Sequence, residues 1–159
     1  MMKTRIMFAA LLALGALIVA FAQDGSPTSV TAMESEEYGS YLTDADGRTL
    51  YLFINEEMES SDPERMTEGV RSNAVSCTGG CLEAWPPITA PVEAGEGIDE
   101  ELLYTAEFDG MEMAVYNGWP LYYFARDTEP GQINGQGRGQ APTIWYIVSP
   151  EGHPVEEGG

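Results

Sequence analysis

Beyond residue 22 the sequence contains no lysine, and the only histidine in all 159 residues is His153. That imidazole sits in a Gly-His-Pro turn near the C-terminus, and no nucleophile in a recognisable elbow is present to pair with it, so a Ser-His type hydrolase lacks its apparatus. Carboxylates have the opposite problem, because 26 of them leave no acid-base pair that spacing alone can single out. Long apolar runs are equally scarce. The one run, Ile6 to Phe21, follows Lys3 and Arg5 and ends in Ala20-Phe-Ala22, which predicts a secretory signal over residues 1–22 cleaved after Ala22. It is too short for a comfortable membrane span, and no later segment is longer. A secreted or periplasmic chain beginning at Gln23 is expected.

From Gln23 onward the basic residues are Arg48, Arg65, Arg71, Arg126 and Arg138 against 26 acidic ones, a net charge of −21. A charge of that size repels nucleic acid and anionic lipid headgroups and leaves cations, a saline medium or an envelope protein as partners. Solubility or adaptation to high salt is one reading of it, and specific cation binding the other. Cysteine is limited to Cys77 and Cys81, which enclose Thr-Gly-Gly. In an exported protein this predicts a small disulfide ring; the alternative is a thiol pair that binds copper or exchanges electrons.

What the chain does have is one pattern written twice. Asp46-Gly-Arg-Thr-Leu-Tyr-Leu-Phe-Ile-Asn-Glu56 and Asn117-Gly-Trp-Pro-Leu-Tyr-Tyr-Phe-Ala-Arg-Asp127 each place a Gly turn before a Leu-Tyr-x-Phe strand, with an acid five positions after the Tyr. Residues two apart share a strand face, so Tyr51 and Phe53 point one way and Leu50, Leu52 and Ile54 the other. Tyr122 and Phe124 likewise oppose Leu121 and Tyr123. Strands apolar on both faces are central ones. Glu56 and Asp127 fall just past the strand ends, where an Asp can accept backbone N–H groups and close a turn, and where a ligand could alternatively be held.

The resulting expectation is an all-β protein in which two copies of a short antiparallel β-meander form one compact domain with long loops. Its parts are a flexible acidic lead-in at 23–37, a first copy at 38–89 containing the Cys77–Cys81 ring, a linker at 90–100, a second copy at 101–155 and a tail at 156–159. In the first copy, strands at Ser40–Thr43 and Thr49–Ile54 flank the turn Asp44-Ala-Asp-Gly47. Those aspartates resemble the opening of a calcium loop, but a β-type run follows where a helix should begin. Asn55–Ala74 reads as an acidic solvated excursion with a helical turn after Asp62-Pro63. The second copy predicts strands at Leu103–Phe108, Glu112–Tyr116 and Pro120–Phe124, and a further strand, Ile144–Val148, beside that meander. Met111 and Met113 share a strand face, which is packing more often than a copper site.

The long loop after Asp127 offers Asn134 and Gln136 beside that acid as polar ligands. Tyr51, Phe53, Glu56, Tyr122, Phe124, Asp127, Asn134 and Gln136 are therefore the candidate site residues. No cofactor is predicted; calcium or copper are the alternatives, and the metal is otherwise unspecified. Trp119, in a turn, could stack on a sugar ring.

With these residues in view, the chain resembles a bacterial family of secreted repeats and lipoproteins named for a Tyr-x-aromatic-x-x-Asp motif. The resemblance is carried by Tyr41-Leu-Thr-Asp44, Gly47-Arg-Thr-Leu-Tyr-Leu-Phe53, Cys77-x-Gly-x-Cys81, Trp85-Pro-Pro87, Asn117-Gly-x-Pro-Leu-Tyr-Tyr-Phe124, Asp127, Pro130-Gly131, Asn134-Gly-Gln-Gly137 and Trp145-Tyr146. These run in order through residues 38–152. The resemblance implies an exported β-rich module, in a family with no settled biochemical activity. Two departures stand out. Gln23 occupies the place of the lipidated cysteine that follows the signal in the lipoproteins, and the first copy ends in Glu56 where the motif has Asp.

Overall fold

The computed structural model describes residues 25–57, 69–108 and 110–156, and within them the chain is nearly all β. Its strands are β1 (Thr28–Ser35), β2 (Gly39–Asp44), β3 (Tyr51–Asn55), β4 (Val92–Ala94), β5 (Leu103–Phe108), β6 (Met111–Tyr116), β7 (Trp119–Pro120), β8 (Gly139–Gln140), β9 (Thr143–Val148) and β10 (Pro154–Val155). A four-residue helix, α1 (Cys81–Ala84), and a 3-10 turn at Glu100–Leu102 are the helical pieces among these residues. The strands form three sheets, ordered β2-β1-β4, β10-β9-β3 with β8 also on β9, and β5-β6-β7.

The second copy folds as its turns dictate. β5, β6 and β7 make an antiparallel meander, and the Asn117-Gly118 turn between β6 and β7 takes φ of 48° and 85°, the positive pair that Asn-Gly adopts most readily. The third strand is shorter than the expected Pro120–Phe124. Leu121 N still donates to Ala114 O of β6 at 3.0 Å, but Ala114 N turns to Ile88 O at 2.8 Å, so the reciprocal bond that would continue the ladder is missing. Leu121–Tyr123 instead runs between two other segments. Tyr51 and Tyr122 exchange both backbone bonds (2.8 and 3.0 Å) along one edge, and on the other Tyr123 N donates to Pro86 O while Ile88 N donates to Leu121 O. The expectation of a central segment holds, with Leu121, Tyr122 and Phe124 all buried.

A second meander does not form among the described residues. β2 meets only the residues just before β3, at the bridge Thr43↔Thr49, because both edges of β3 are taken: β9 pairs along one, from Tyr51↔Ile147 to Asn55↔Thr143, and Tyr122, Asn73 and Val75 bond the other. The strand expected beside the β5-β6-β7 meander thus pairs with β3 instead. β2 takes β1 as its partner, in register from Val30↔Asp44 to Ser35↔Gly39. This corrects the flexible lead-in assigned to 23–37: Thr28–Ser35 is a strand, central in its sheet, with Val30 fully buried. Its Ser, Thr and Glu content hid it, although Thr31 Oγ1 and Thr43 Oγ1 pair across the strands at 3.0 Å. The 90–100 linker is likewise structured, since β4 lies parallel to β1. The signal at 1–22 and the helical turn after Asp62-Pro63 lie outside the described residues.

Alternation along the central segments sorts side chains into two cores. Leu50, Leu52, Ile54 and Leu121, with Tyr123 against them, join Val30, Leu42, Ile88, Tyr116 and Trp119 on one side. Tyr51, Tyr122 and Phe124, with Phe53 against them, join Tyr41, Trp85, Met113, Trp145 and Ile147 on the other. The second core is a stack. Phe53 lies on Trp145 (4.2 Å between centroids, 1° between planes), Trp145 on Trp85 (3.8 Å, 3°), and Phe124 tilts onto Trp85 at 4.4 Å.

Candidate functional site

Asp127 is where the two Leu-Tyr-x-Phe stretches are joined. Its backbone N–H closes a turn onto Phe124 O at 3.0 Å, which swings the carboxyl group inward past the strand end, and only 3% of the residue is exposed. There Oδ2 accepts the Tyr51 hydroxyl at 2.5 Å, so the acid of the second copy is bound by the motif tyrosine of the first. Oδ1 accepts both the backbone N–H and the Nδ2 of Asn134, each at 3.0 Å. The Gly135 N–H donates to the Tyr51 oxygen at 3.1 Å. Burial, reinforced by the Asp127 hydrogen bond and charge, pushes the Tyr51 phenol far above its ordinary value, keeping it a donor. Gly135 has no alternative at its position, because a Cβ would lie 2.7 Å from Tyr51 Cζ and 2.8 Å from Trp85 Cη2.

A second tyrosine-aspartate pair runs in the opposite sense. Asp44, 8% exposed, accepts the Asp46 and Arg48 N–H groups on Oδ1 (3.0 and 2.9 Å), which forms the Asp44–Gly47 turn. Its Oδ2 accepts the hydroxyl of Tyr123, from the second copy, at 2.9 Å. The Arg48 guanidinium lies over the Tyr123 ring at 4.0 Å from the centroid. Burial and then the Asp44 charge raise the Tyr123 phenol. Tyr51 therefore bonds Asp127, and Tyr123 bonds Asp44, so the two stretches are tied in both directions. Sequence reasoning did not single out this pair; the signal for it was Asp44 closing Tyr41-Leu-Thr-Asp44 and the extra Tyr123 beside Tyr122.

The remaining candidates scatter. Glu56, the first copy's motif acid, is exposed and accepts the Tyr146 hydroxyl at 2.8 Å, away from the Asp127 cluster. Tyr122 accepts the Cys77 N–H at 3.4 Å, and Phe53 and Phe124 belong to the aromatic stack. Asn134 is exposed overall, yet its amide group is turned onto Asp127. Gln136 donates to Val155 O and accepts the Ile147 N–H at 2.8 Å, tying the loop to β9 and β10. Trp119 is 3% exposed with its Nε1–H on Gly152 O at 3.1 Å, which removes the main support for sugar stacking. Cys77 and Cys81 form a disulfide with Cα atoms 5.4 Å apart. Cys77 is buried, while Cys81 is half-buried and Thr78, Gly79 and Gly80 are exposed.

Chemically, the Asp127 carboxylate faces three hydrogen-bond donors. A cation there would meet N–H and O–H hydrogens in place of lone pairs. Among the described residues no group of three or more His, Cys, Asp or Glu side chains is placed to hold a metal ion, and no helix is long and apolar enough to cross a membrane.

Residues 106–149, from the end of β5 through β9, match a family described as a secreted repeat of unknown function. No curated protein and no solved structure is significantly similar to the chain.

Proposed function

We propose that the chain is an exported, non-enzymatic β-rich module that acts outside the cell or in the envelope as a structural or protein-binding element, with its signal cleaved after Ala22. In this reading Asp127, Asn134, Tyr51 and the aromatic residues of the motif hold the fold together and hold no ligand. The observation that carries it is the saturation of the buried Asp127 carboxylate by Tyr51 and Asn134. The match of residues 106–149 to a secreted repeat supports export. The acidic surface then serves solubility or a saline medium. Thermal unfolding tests the choice between fold element and cation site. With calcium, copper or chelator added at constant ionic strength, no metal-specific shift is expected, and a plain salt series should raise Tm as surface repulsion is screened. A rise specific to one metal and lost in Asp127→Asn would favour the cation site.

A second reading, thiol-disulfide or metal handling by Cys77 and Cys81, is favoured by one observation. Half-buried Cys81 and its exposed Thr-Gly-Gly turn leave the ring open to an incoming thiol. Free-thiol counting after mild reduction tests it, and a ring that resists reduction and binds no copper would exclude it.

A further inference from the structure

Tyr51 sits at the meeting point of a hydrogen bond and an aromatic column, and the combination suits a chemistry that neither has alone. Its hydroxyl is 2.5 Å from Asp127 Oδ2, at the short end of O–H···O⁻ bonds, and its ring meets Trp85 edge-on at 5.4 Å. Trp85 is stacked face to face on Trp145 at 3.8 Å, and Trp145 on the half-buried Phe53 at 4.2 Å, so the column runs from near the surface to the phenol. Two stacked indoles share a positive charge and are easier to oxidise than one. A phenol loses an electron readily only when its proton leaves at the same time, which requires a base already within hydrogen-bond reach. Asp127 is that base, and burial of both residues keeps the proton from escaping to water.

We propose that Trp145, Trp85, Tyr51 and Asp127 form a one-electron, one-proton relay that makes Tyr51 a reversible redox site. A one-electron oxidant of the outer-sphere metal-complex class takes an electron from the Trp85–Trp145 pair, leaving an indole radical cation and a complex reduced by one electron. Tyr51 returns an electron to the indole while its phenolic proton crosses to Asp127 Oδ2. The products are a neutral indole, a neutral tyrosyl radical and a protonated Asp127; one electron from a reductant of the hydroquinone or ascorbate class, with the proton passing back from Asp127 Oδ2 to the phenol oxygen, restores the start. The Gly135 N–H on the phenol oxygen holds the ring in place throughout. Tyr123, although bonded to Asp44 at 2.9 Å, is disfavoured for the same role, because the Arg48 cation over its ring opposes removal of an electron. This activity needs neither Cys77 nor Cys81 and goes beyond the structural reading.

The test is flash oxidation of the purified chain by a photogenerated ruthenium(III) polypyridyl complex, followed by transient absorption and freeze-quench electron paramagnetic resonance. In the unsubstituted chain the indole radical signal should decay into a neutral tyrosyl signal, more slowly in deuterium oxide. Tyr51→Phe should lose that conversion and keep a long-lived indole radical, Asp127→Asn should slow it, and Tyr123→Phe should leave it unchanged. A tyrosyl yield undiminished in Tyr51→Phe would overturn the proposal. So would a conversion in the unsubstituted chain that is absent or insensitive to deuterium, a result that does not depend on any variant folding.

Discussion

Replacing Tyr51 by Phe removes one hydroxyl and leaves two buried groups without their partner, Asp127 Oδ2 and the Gly135 N–H. A hydrogen bond to a charged group contributes about 1.5–3 kcal/mol, and a stranded buried polar group costs about 1–3 kcal/mol. Because the two overlap in one cluster, Tyr51→Phe should destabilise by about 3 kcal/mol in total, which for a domain of this size lowers Tm by roughly 10 °C. Asp127→Ala strips the acceptor from Tyr51 and from both N–H donors of Asn134 and leaves a cavity, so it should cost about 3–5 kcal/mol. The decisive quantity is the coupling between the two. Chemical denaturation of the single and double variants should give a double-mutant coupling of about 1.5–3 kcal/mol, since the second substitution removes a partner already lost. Glu56→Ala, at the exposed acid of the other copy, should stay within about 0.5 kcal/mol. Additive losses, with coupling under about 0.5 kcal/mol, would refute the claim that Tyr51 and Asp127 act as a unit.

The same burial predicts a response to alkali. The Tyr51 and Tyr123 phenols are raised in the folded chain relative to an ordinary tyrosine, so the folded state holds their protons longer than the unfolded state does. Their stabilisation is complete below the unfolded value near ~10 and is lost as pH rises above it, by up to ~1.4 kcal/mol per pH unit for each phenol; urea midpoints from pH 7 upward should be flat and then fall, and Tyr51→Phe should soften the fall. Gly135→Ala forces a methyl group into Tyr51 and Trp85 and should cost about 1–3 kcal/mol by the same denaturation assay. The paired substitution Cys77→Ser and Cys81→Ser should cost only about 2 kcal/mol, the closure entropy of so short a ring, and should leave the far-ultraviolet circular dichroism of the sheets unchanged.

How much of this was legible in the sequence follows from which interactions are local. Face alternation is local, and it separated Leu50, Leu52 and Ile54 from Tyr51 and Phe53, and Leu121 from Tyr122 and Phe124, as found; that the like faces of the two strands share a core depends on how they pack. Turn chemistry is local too, so Asn117-Gly118 and the ring at Cys77 and Cys81 could be read directly. Strand partners are not local. Nothing in Thr143–Val148 says that it pairs with β3, from Tyr51↔Ile147 to Asn55↔Thr143, and polar β1 carried too little periodicity to stand out from a flexible lead-in. The candidate site divides along the same line. Asp127 and Asn134 were paired from their shared loop, whereas the hydroxyl that completes the cluster comes from Tyr51, 76 residues away. The interlocked Tyr123–Asp44 pair, 79 residues apart, was hidden for the same reason.

The most direct measurement of the central claim is native-state hydrogen exchange at the Asn134 and Gly135 amides. Both lie in a loop outside any strand, with no sheet ladder to protect them. If Asp127 and the Tyr51 hydroxyl are their acceptors, both amides should be protected to nearly the free energy of global unfolding, and Asp127→Ala should release the Asn134 amide. Exchange of both at close to free-peptide rates in the unsubstituted chain would contradict the lock and return Asp127 to the list of open ligands.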